Sequence, residues 1–277
     1  MAMPDSLTRK SLHRPWRPTP LISGSAALHL AAAAAIAVRP HVWPWALAAI
    51  AADHLLLAGV GLWPRSTLLG SNWTRLPHSA SARGAMAITI DDGPHPDITP
   101  RVLELLDEHR AQASFFCVGE KVQRYAELAR EILRRGHTIE NHSQRHRHNF
   151  SLLGPRGLRE EIGRAQTSIA AVTGTAPVFF RAPAGLRNPF LDPVLTQLEL
   201  QLASWTRRGF DTVSRDADIV LRKLTQHLGE GDILLLHDGN AGQTPSGKPI
   251  ILDVLPRLLA AVAAAKLRPI TLRAALT

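Results

Sequence analysis

The chain has 277 residues, a formal net charge of +9 and a pI near 10.8, which is length enough for one large domain with roughly 60–80 residues besides. Its one cysteine, Cys117, excludes an intramolecular disulfide. Lying in the apolar run "ASFFCVG" (113–119), it suits a small buried hydrophobe better than a nucleophile. The excess of 32 Lys and Arg over 23 Asp and Glu admits an anionic membrane, a nucleic acid or an acidic substrate. No helix-turn-helix, zinc-finger or RNA-binding aromatic pattern accompanies the arginines, which argues against nucleic acid.

Residues 1–80 differ from the rest. Arg9, Lys10, Arg14 and Arg17 face only Asp5, and two apolar stretches follow, at about 21–38 and 42–63. Each approaches the roughly 20 residues that a membrane helix needs. A two-span hairpin in a bacterial-type inner membrane is expected. By the positive-inside rule it leaves the remainder cytoplasmic, with Arg65, Arg75 and Arg83 following the second stretch. One signal anchor with an interfacial helix would place the remainder in the periplasm instead, and a cleaved signal peptide competes for the first stretch. Asp53 and His54 are expensive inside a span. Trp43, Trp45, Trp63 and Trp73 suit an interface belt.

From about residue 84 short apolar runs alternate with amphipathic stretches. Strands are expected at 85–90, 113–119, 137–143, 177–183, 200–206, 232–239 and 268–272. Helices are expected at 96–110, at 121–135 with Gly136 as the stop, and at 155–173, 189–199, 216–228 and 250–265. Seven such alternations imply an α/β unit over 84–277 with a mainly parallel sheet, open or closed into a barrel, and helices outside. Functional residues then collect at the C-terminal strand ends. Those ends carry Asp91 and Asp92, His142 and His146, Arg181, Asp211 and His237.

Two adjacent carboxylates after a buried strand need a positive partner, because an unpaired carboxylate in low dielectric costs several kcal/mol or gives up its charge. His142 and His146, four residues apart, can bring two imidazoles to one side of a compact loop, with His148 as a rival partner. With a carboxylate from another strand end they form the two-histidine, one-carboxylate set of a catalytic divalent metal. One aspartate would then bind the cation while the other serves as base.

"TIDDGP" (89–94), "HSQRH" (142–146), "RAPAG" (181–185), "FD" (210–211) and "LLLHD" (234–238), in this order and spacing, resemble the five motifs of the polysaccharide deacetylases, the NodB-homology or carbohydrate esterase family 4 group. The resemblance runs from roughly residue 84 to the C-terminus and implies a distorted (β/α) barrel of about seven strands. It implies that Asp91 is the base, that Asp92, His142 and His146 are metal ligands, and that Arg181 keeps the base ionised. It also implies that His237 is the general acid, oriented by Asp211, and that the 184–185 backbone, at Ala184 and Gly185, faces the substrate and its oxyanion. The metal is zinc in many members, with cobalt, manganese or nickel in others. The implied reaction removes an N-acetyl or similar small acyl group from an amino sugar of a polysaccharide, oligosaccharide or lipid-linked glycan. An O-acetyl sugar esterase and an inactive membrane-tethered glycan-binding module are the alternatives, and no protein partner follows.

The chain departs from the family pattern in places. Ala184 stands where the third motif often has tyrosine, and "RGFDT" (208–212) keeps one aspartate of the fourth motif without its tryptophan. Arg207 and Arg208 beside it leave open an anionic or phosphate-bearing substrate or a solvated charged face. Asp97, near His95, is expected to cap the first helix, His148 to sit in a surface loop, and Trp205 to pack in the core. Segment 237–247 lacks a phosphate-loop pattern and leaves a mobile lid as one reading.

Overall fold

The computed structural model describes residues 15–277; Asp5, Arg9, Lys10 and Arg14, invoked above for membrane topology, lie outside the described residues. At the centre stands β1 (Ala85–Asp91), buried along its whole length. It is hydrogen-bonded in parallel to β2 (Ala113–Cys117) on one side and β7 (Ile233–His237) on the other. A strand covered on both faces needs apolar side chains on both, which is why "AMAITI" shows little polar alternation. Adding β3 (Thr138–Asn141), β4 (Phe179–Phe180), β5 (Gln201–Leu202) and β6 (Arg207–Arg208) gives the order β5-β4-β3-β2-β1-β7-β6, every pair parallel. The short β8 (Arg268–Pro269) pairs with the start of β1. Segment 73–76 runs from the β5 edge to the start of β7: Trp73 N–H donates to Leu202 O at 2.9 Å and Leu76 N–H to Gly231 O at 2.8 Å.

The two-residue period of the strands sorts their side chains. Met86, Ile88 and Ile90 face outward into the main core with Phe115, Cys117, Leu234 and Leu236. There they meet α3 (Thr99–Glu108) through Val102, Leu103 and Leu106 and α9 (Ile251–Ala264) through Leu255, Leu258 and Leu259. Ala85 and Ala87 face inward with Phe116, Phe179 and Ile233. Thr89 and Asp91 follow on that inner side. Cys117 is a buried hydrophobe, as expected, and burial pushes its thiol well up from the usual value.

The other α-helices after β2 are α4 (Gly119–Arg124), α5 (Ala126–Arg134), α6 (Pro155–Thr173), α7 (Leu191–Gln197) and α8 (Ala217–Thr225). Several expectations need correction. The helix expected over 121–135 is two, because Tyr125 leaves helical geometry at φ −117°, ψ 52°. Asp97 caps nothing. The α3 N-cap is Ile98, with no side-chain hydrogen bond, and Thr99 Oγ1 accepts the His95 N–H at 2.7 Å. The strand expected over 200–206 is shortened to β5, with Ala203 bridged to Trp73, and β6 lies just beyond the expected range.

Ahead of the sheet, α1 (Pro20–Val38) and α2 (Trp43–Gly61) form a hairpin joined by a single turn over Pro40–Val42. Both are long and apolar enough to cross a membrane. Leu30, Val38, Trp45 and Leu55 are each about three-quarters or more exposed, a surface that in water would be uncovered apolar area. Asp53 is satisfied within the hairpin by Ser25 Oγ–H at 2.6 Å, and His54 Nε2 lies 3.2 Å from His29 Nε2. Trp43, Trp45 and Trp63 are exposed, whereas Trp73 leaves the expected belt and packs edge-on to Phe179, ring centroids 5.1 Å apart. Leu76 and Ala80 lie in the inner core, so segment 64–81 is packed with the sheet although the sequence break lies near residue 80.

Candidate active site

The inner face of the barrel places the polar residues at its C-terminal rim. Asp91 ends β1 in register with His237 at the end of β7. Arg181, directly after β4, is almost wholly buried. Its guanidinium donates from Nη1 to Asp91 Oδ1 at 2.6 Å and to Thr89 Oγ1 at 2.8 Å, from Nη2 to Ser204 O at 2.7 Å, and from Nε to Ala203 O at 3.0 Å. Its flat face rests on Phe116, 4.0 Å from the ring centroid. Burial pulls the Arg181 pKa below its usual value, and the Asp91 charge opposes that pull. A buried ion pair with all three guanidinium nitrogens engaged holds its geometry, because losing one partner strands the other charge at about 3–5 kcal/mol.

Asp92 turns out of the strand at φ 72°. Its Oδ2 accepts from Asn240 Nδ2–H at 2.9 Å, and its backbone carbonyl accepts from Lys121 Nζ at 2.8 Å. Oδ1 is buried without a hydrogen-bond donor, yet it stands 3.2 Å from His142 Nε2 and 3.1 Å from His146 Nε2. His142 Nδ1 lies 2.9 Å from Arg181 O; a carbonyl only accepts, so Nδ1 carries the proton and Nε2 presents a lone pair. Burial first, and His142 beside it second, push the His146 imidazole below its ordinary pKa, toward the neutral ring. With both rings neutral and their Nε2 atoms bare, these three acceptors repel one another until a cation sits between them. Two imidazole nitrogens and one carboxylate oxygen, all within 4.8 Å of one another, fit a divalent metal of the zinc type with positions left open.

Across the cavity, Asp211 is wholly buried and holds His237 twice. Its Oδ2 accepts the His237 backbone N–H at 2.7 Å and its Oδ1 faces His237 Nδ1 at 2.9 Å, so Nδ1 carries a proton and Nε2 is left for the cavity. Burial would lower the His237 pKa. The charge and hydrogen bond of Asp211, then the charges of Asp91 and Asp92, outweigh burial and raise it above its ordinary value.

Asp91, Asp92, His142, His146 and His237 line one cavity of about 180 Å³. Ala184 and Gly185 form part of its wall, with Ala184 in the left-handed region at φ 54°. The Gly185 N–H is spent on Ala182 O at 2.8 Å, so this residue shapes the wall; a Cβ there would press on Trp205 and Pro64. Trp205 is largely buried, as expected, and also reaches the cavity. Sequence reasoning missed Asn240, Thr212 and Leu235. Asn240, three residues beyond the β7 end, could have been found as a strand-end polar group. His148 is exposed in its loop and is no rival to His146.

A family model described as polysaccharide deacetylase matches residues 78–203. A peptidoglycan-N-acetylglucosamine deacetylase of Bacillus cereus is 31% identical over 175 residues, 62% of this chain and 81% of that protein. A chitooligosaccharide deacetylase of Azorhizobium caulinodans is 32% identical over 158 residues, 57% of this chain and 75% of that protein. Among solved structures, a peptidoglycan N-acetylglucosamine deacetylase superposes with a TM-score of 0.66 at 24% identity, covering 74% of this chain and 92% of its own, and so shares the fold.

Proposed function

From the premise that the chain belongs to the polysaccharide deacetylase family, we propose that it hydrolyses the N-acetyl group of an amino sugar in a glycan. The observation that carries this reading is the unpartnered Asp92 Oδ1 between two imidazole Nε2 atoms, with an ion-paired carboxylate and a carboxylate-bound imidazole beside it. Asp92, His142 and His146 would hold the cation, Zn²⁺ or alternatively Co²⁺, Mn²⁺ or Ni²⁺. When bound, it supplies Lewis-acid polarisation of the acyl oxygen and activation of water.

The chain's own groups do the rest. Asp91, kept in place by Arg181 through Oδ1, takes a proton from the attacking water at Oδ2. The backbone at Ala184, on the cavity wall, is the proposed donor to the developing oxyanion. His237, biased toward its protonated form by Asp211, gives a proton to the departing nitrogen. The products are acetate and a free amine.

We further propose that α1 and α2 insert in a membrane with both ends on one side, which by the positive-inside rule is the cytoplasmic one, and that the glycan is carried on a lipid. An apolar groove of about 610 Å³ supports the lipid. It lies between Ile22, Leu57 and Leu62 of the hairpin and Leu186 and Phe190 of the neighbouring loop, and Leu186 follows directly on Gly185 of the metal-site cavity. A hydrocarbon chain there would keep its sugar close to the site.

The test is acetate release from chito-oligosaccharides, peptidoglycan fragments and lipid-linked amino sugars. The expected result is release from at least one class, abolished by Asp91→Asn with the metal retained. Release from none, or an unaltered rate in the variant, contradicts the reading.

A further inference from the structure

Two adjacent arginines have opposite fates in β6. Arg207 pairs in register with Leu234, whose side chain faces the outer core, and Arg208 pairs with Leu235, whose side chain lines the metal-site cavity. The pleat therefore sends them to opposite faces. Arg207 is spent on structure: its Nε meets Asp232 Oδ2 at 2.8 Å and its Nη2 donates to His227 O. Arg208 has no such partner. Arg208 is half-buried and lines the cavity, its Nε is buried without an acceptor, and among the described residues no carboxylate pairs with it. It is held between aromatic faces, 5.5 Å from the Trp205 ring and 5.0 Å from the Phe210 ring, and Lys223 Nζ adds a second cation 4.7 Å from Phe210. Aromatic faces fix a guanidinium at the cost of little of its hydrogen-bonding capacity, since the donors lie in the edge of the plane. A buried donor left without an acceptor costs about 1–3 kcal/mol, and in a substrate cavity the missing acceptor is supplied by what binds there.

We propose that Arg208 is a specificity-determining residue that binds an oxyanion of the substrate, a phosphate or a carboxylate on the glycan bearing the acyl group. The inference rests on the glycan deacetylase reading and narrows it to acidic substrates. A phosphate would come from a lipid-linked sugar and a carboxylate from an acidic sugar. The shared chemistry is a planar fork of N–H donors closing on two oxygens.

The test is calorimetric binding to the full chain in detergent, at fixed low salt, of three probes: neutral tri-N-acetylchitotriose, its reducing-end phosphate and its C6 carboxylate. The wild type is expected to bind at least one acidic probe roughly 10- to 100-fold more tightly than the neutral one. Arg208→Gln is expected to erase that preference. Arg208→Lys keeps part of it, because the charge remains without the fork. Whichever acidic probe is preferred identifies the source of the oxyanion. Equal binding of all three by the wild type, or an undiminished preference in a folded Arg208→Gln, overturns the proposal. Acetate release followed in the same samples tests deacetylation separately: release from no probe would contradict that activity, while the binding preference still decides Arg208.

Discussion

Asp211→Asn isolates the acid side of the reaction. The wild-type carboxylate accepts two hydrogen bonds from one residue, the His237 backbone N–H at 2.7 Å and the proton on Nδ1 at 2.9 Å. An amide of the same shape keeps one oxygen. If that oxygen stays on the backbone N–H, the introduced NH₂ faces Nδ1 and forces it to become an acceptor, which expels the imidazolium. If the amide turns over, the backbone N–H loses its partner. Either way a bond to a charged group, worth about 1.5–3 kcal/mol, becomes a weaker neutral one. The difference, about 1–1.5 kcal/mol, at 1.36 kcal/mol per pK unit lowers the His237 pKa by about 1 unit from its raised position. A general acid works while protonated, so activity fails as pH rises through that pKa and the variant fails at lower pH. The assay is kcat against pH with a saturating concentration of whichever glycan releases acetate, the alkaline limb reporting the acid in the bound complex. A limb that stays in place, in a variant with wild-type unfolding temperature and metal content, refutes the role of Asp211.

Further outcomes follow from other contacts. A Cβ at Gly239 would lie 2.0 Å from the Asp92 carbonyl oxygen, so Gly239→Ala moves a ligand and should weaken metal affinity by about 10–100-fold; competition with a chromophoric chelator reads this. Arg207→Ala leaves the buried Asp232 with Arg75 as its remaining arginine partner, at 2.8 Å. It should lower the unfolding free energy by about 1–3 kcal/mol without altering KM, in contrast to substitutions at Arg208; denaturant unfolding and steady-state kinetics separate the two. Cys117, fully buried with its thiol pKa raised, should stay unmodified by iodoacetamide in the native chain and react once unfolded. Labelling of the native form would contradict its place in the core.

The site was legible because chemistry in a parallel sheet gathers at strand ends, and polar residues there stand out against apolar runs. Asp91, Asp92, Arg181 and His237 each follow directly on or end such a run, and the structure brings them to one rim. The loop that delivers His142 and His146 was visible as a strand end and a four-residue spacing, but its conformation was not. What aims it is left-handed backbone at Ser143, φ 64°, and at His146, φ 49°, which non-glycine residues do not announce. The split of Arg207 from Arg208 was hidden because a two-residue strand has no periodicity of its own, and its register comes from β7. The break at Tyr125 lacks the proline or glycine that marks a stop in sequence. Asn240 was passed over within a glycine-rich segment, where polar residues suggest solvent rather than a hydrogen bond to Asp92.

The central claim is that Asp92, His142 and His146 close on one divalent ion. Anomalous diffraction at the metal absorption edge, from crystals grown with Zn²⁺ and from crystals of Asp92→Ala, tests it directly. The account predicts one peak bonded to Asp92 Oδ1 and both Nε2 atoms in the wild type and none there in the variant. A wild-type site without an ion at full metal saturation, or an ion unmoved by the loss of Asp92, would contradict it.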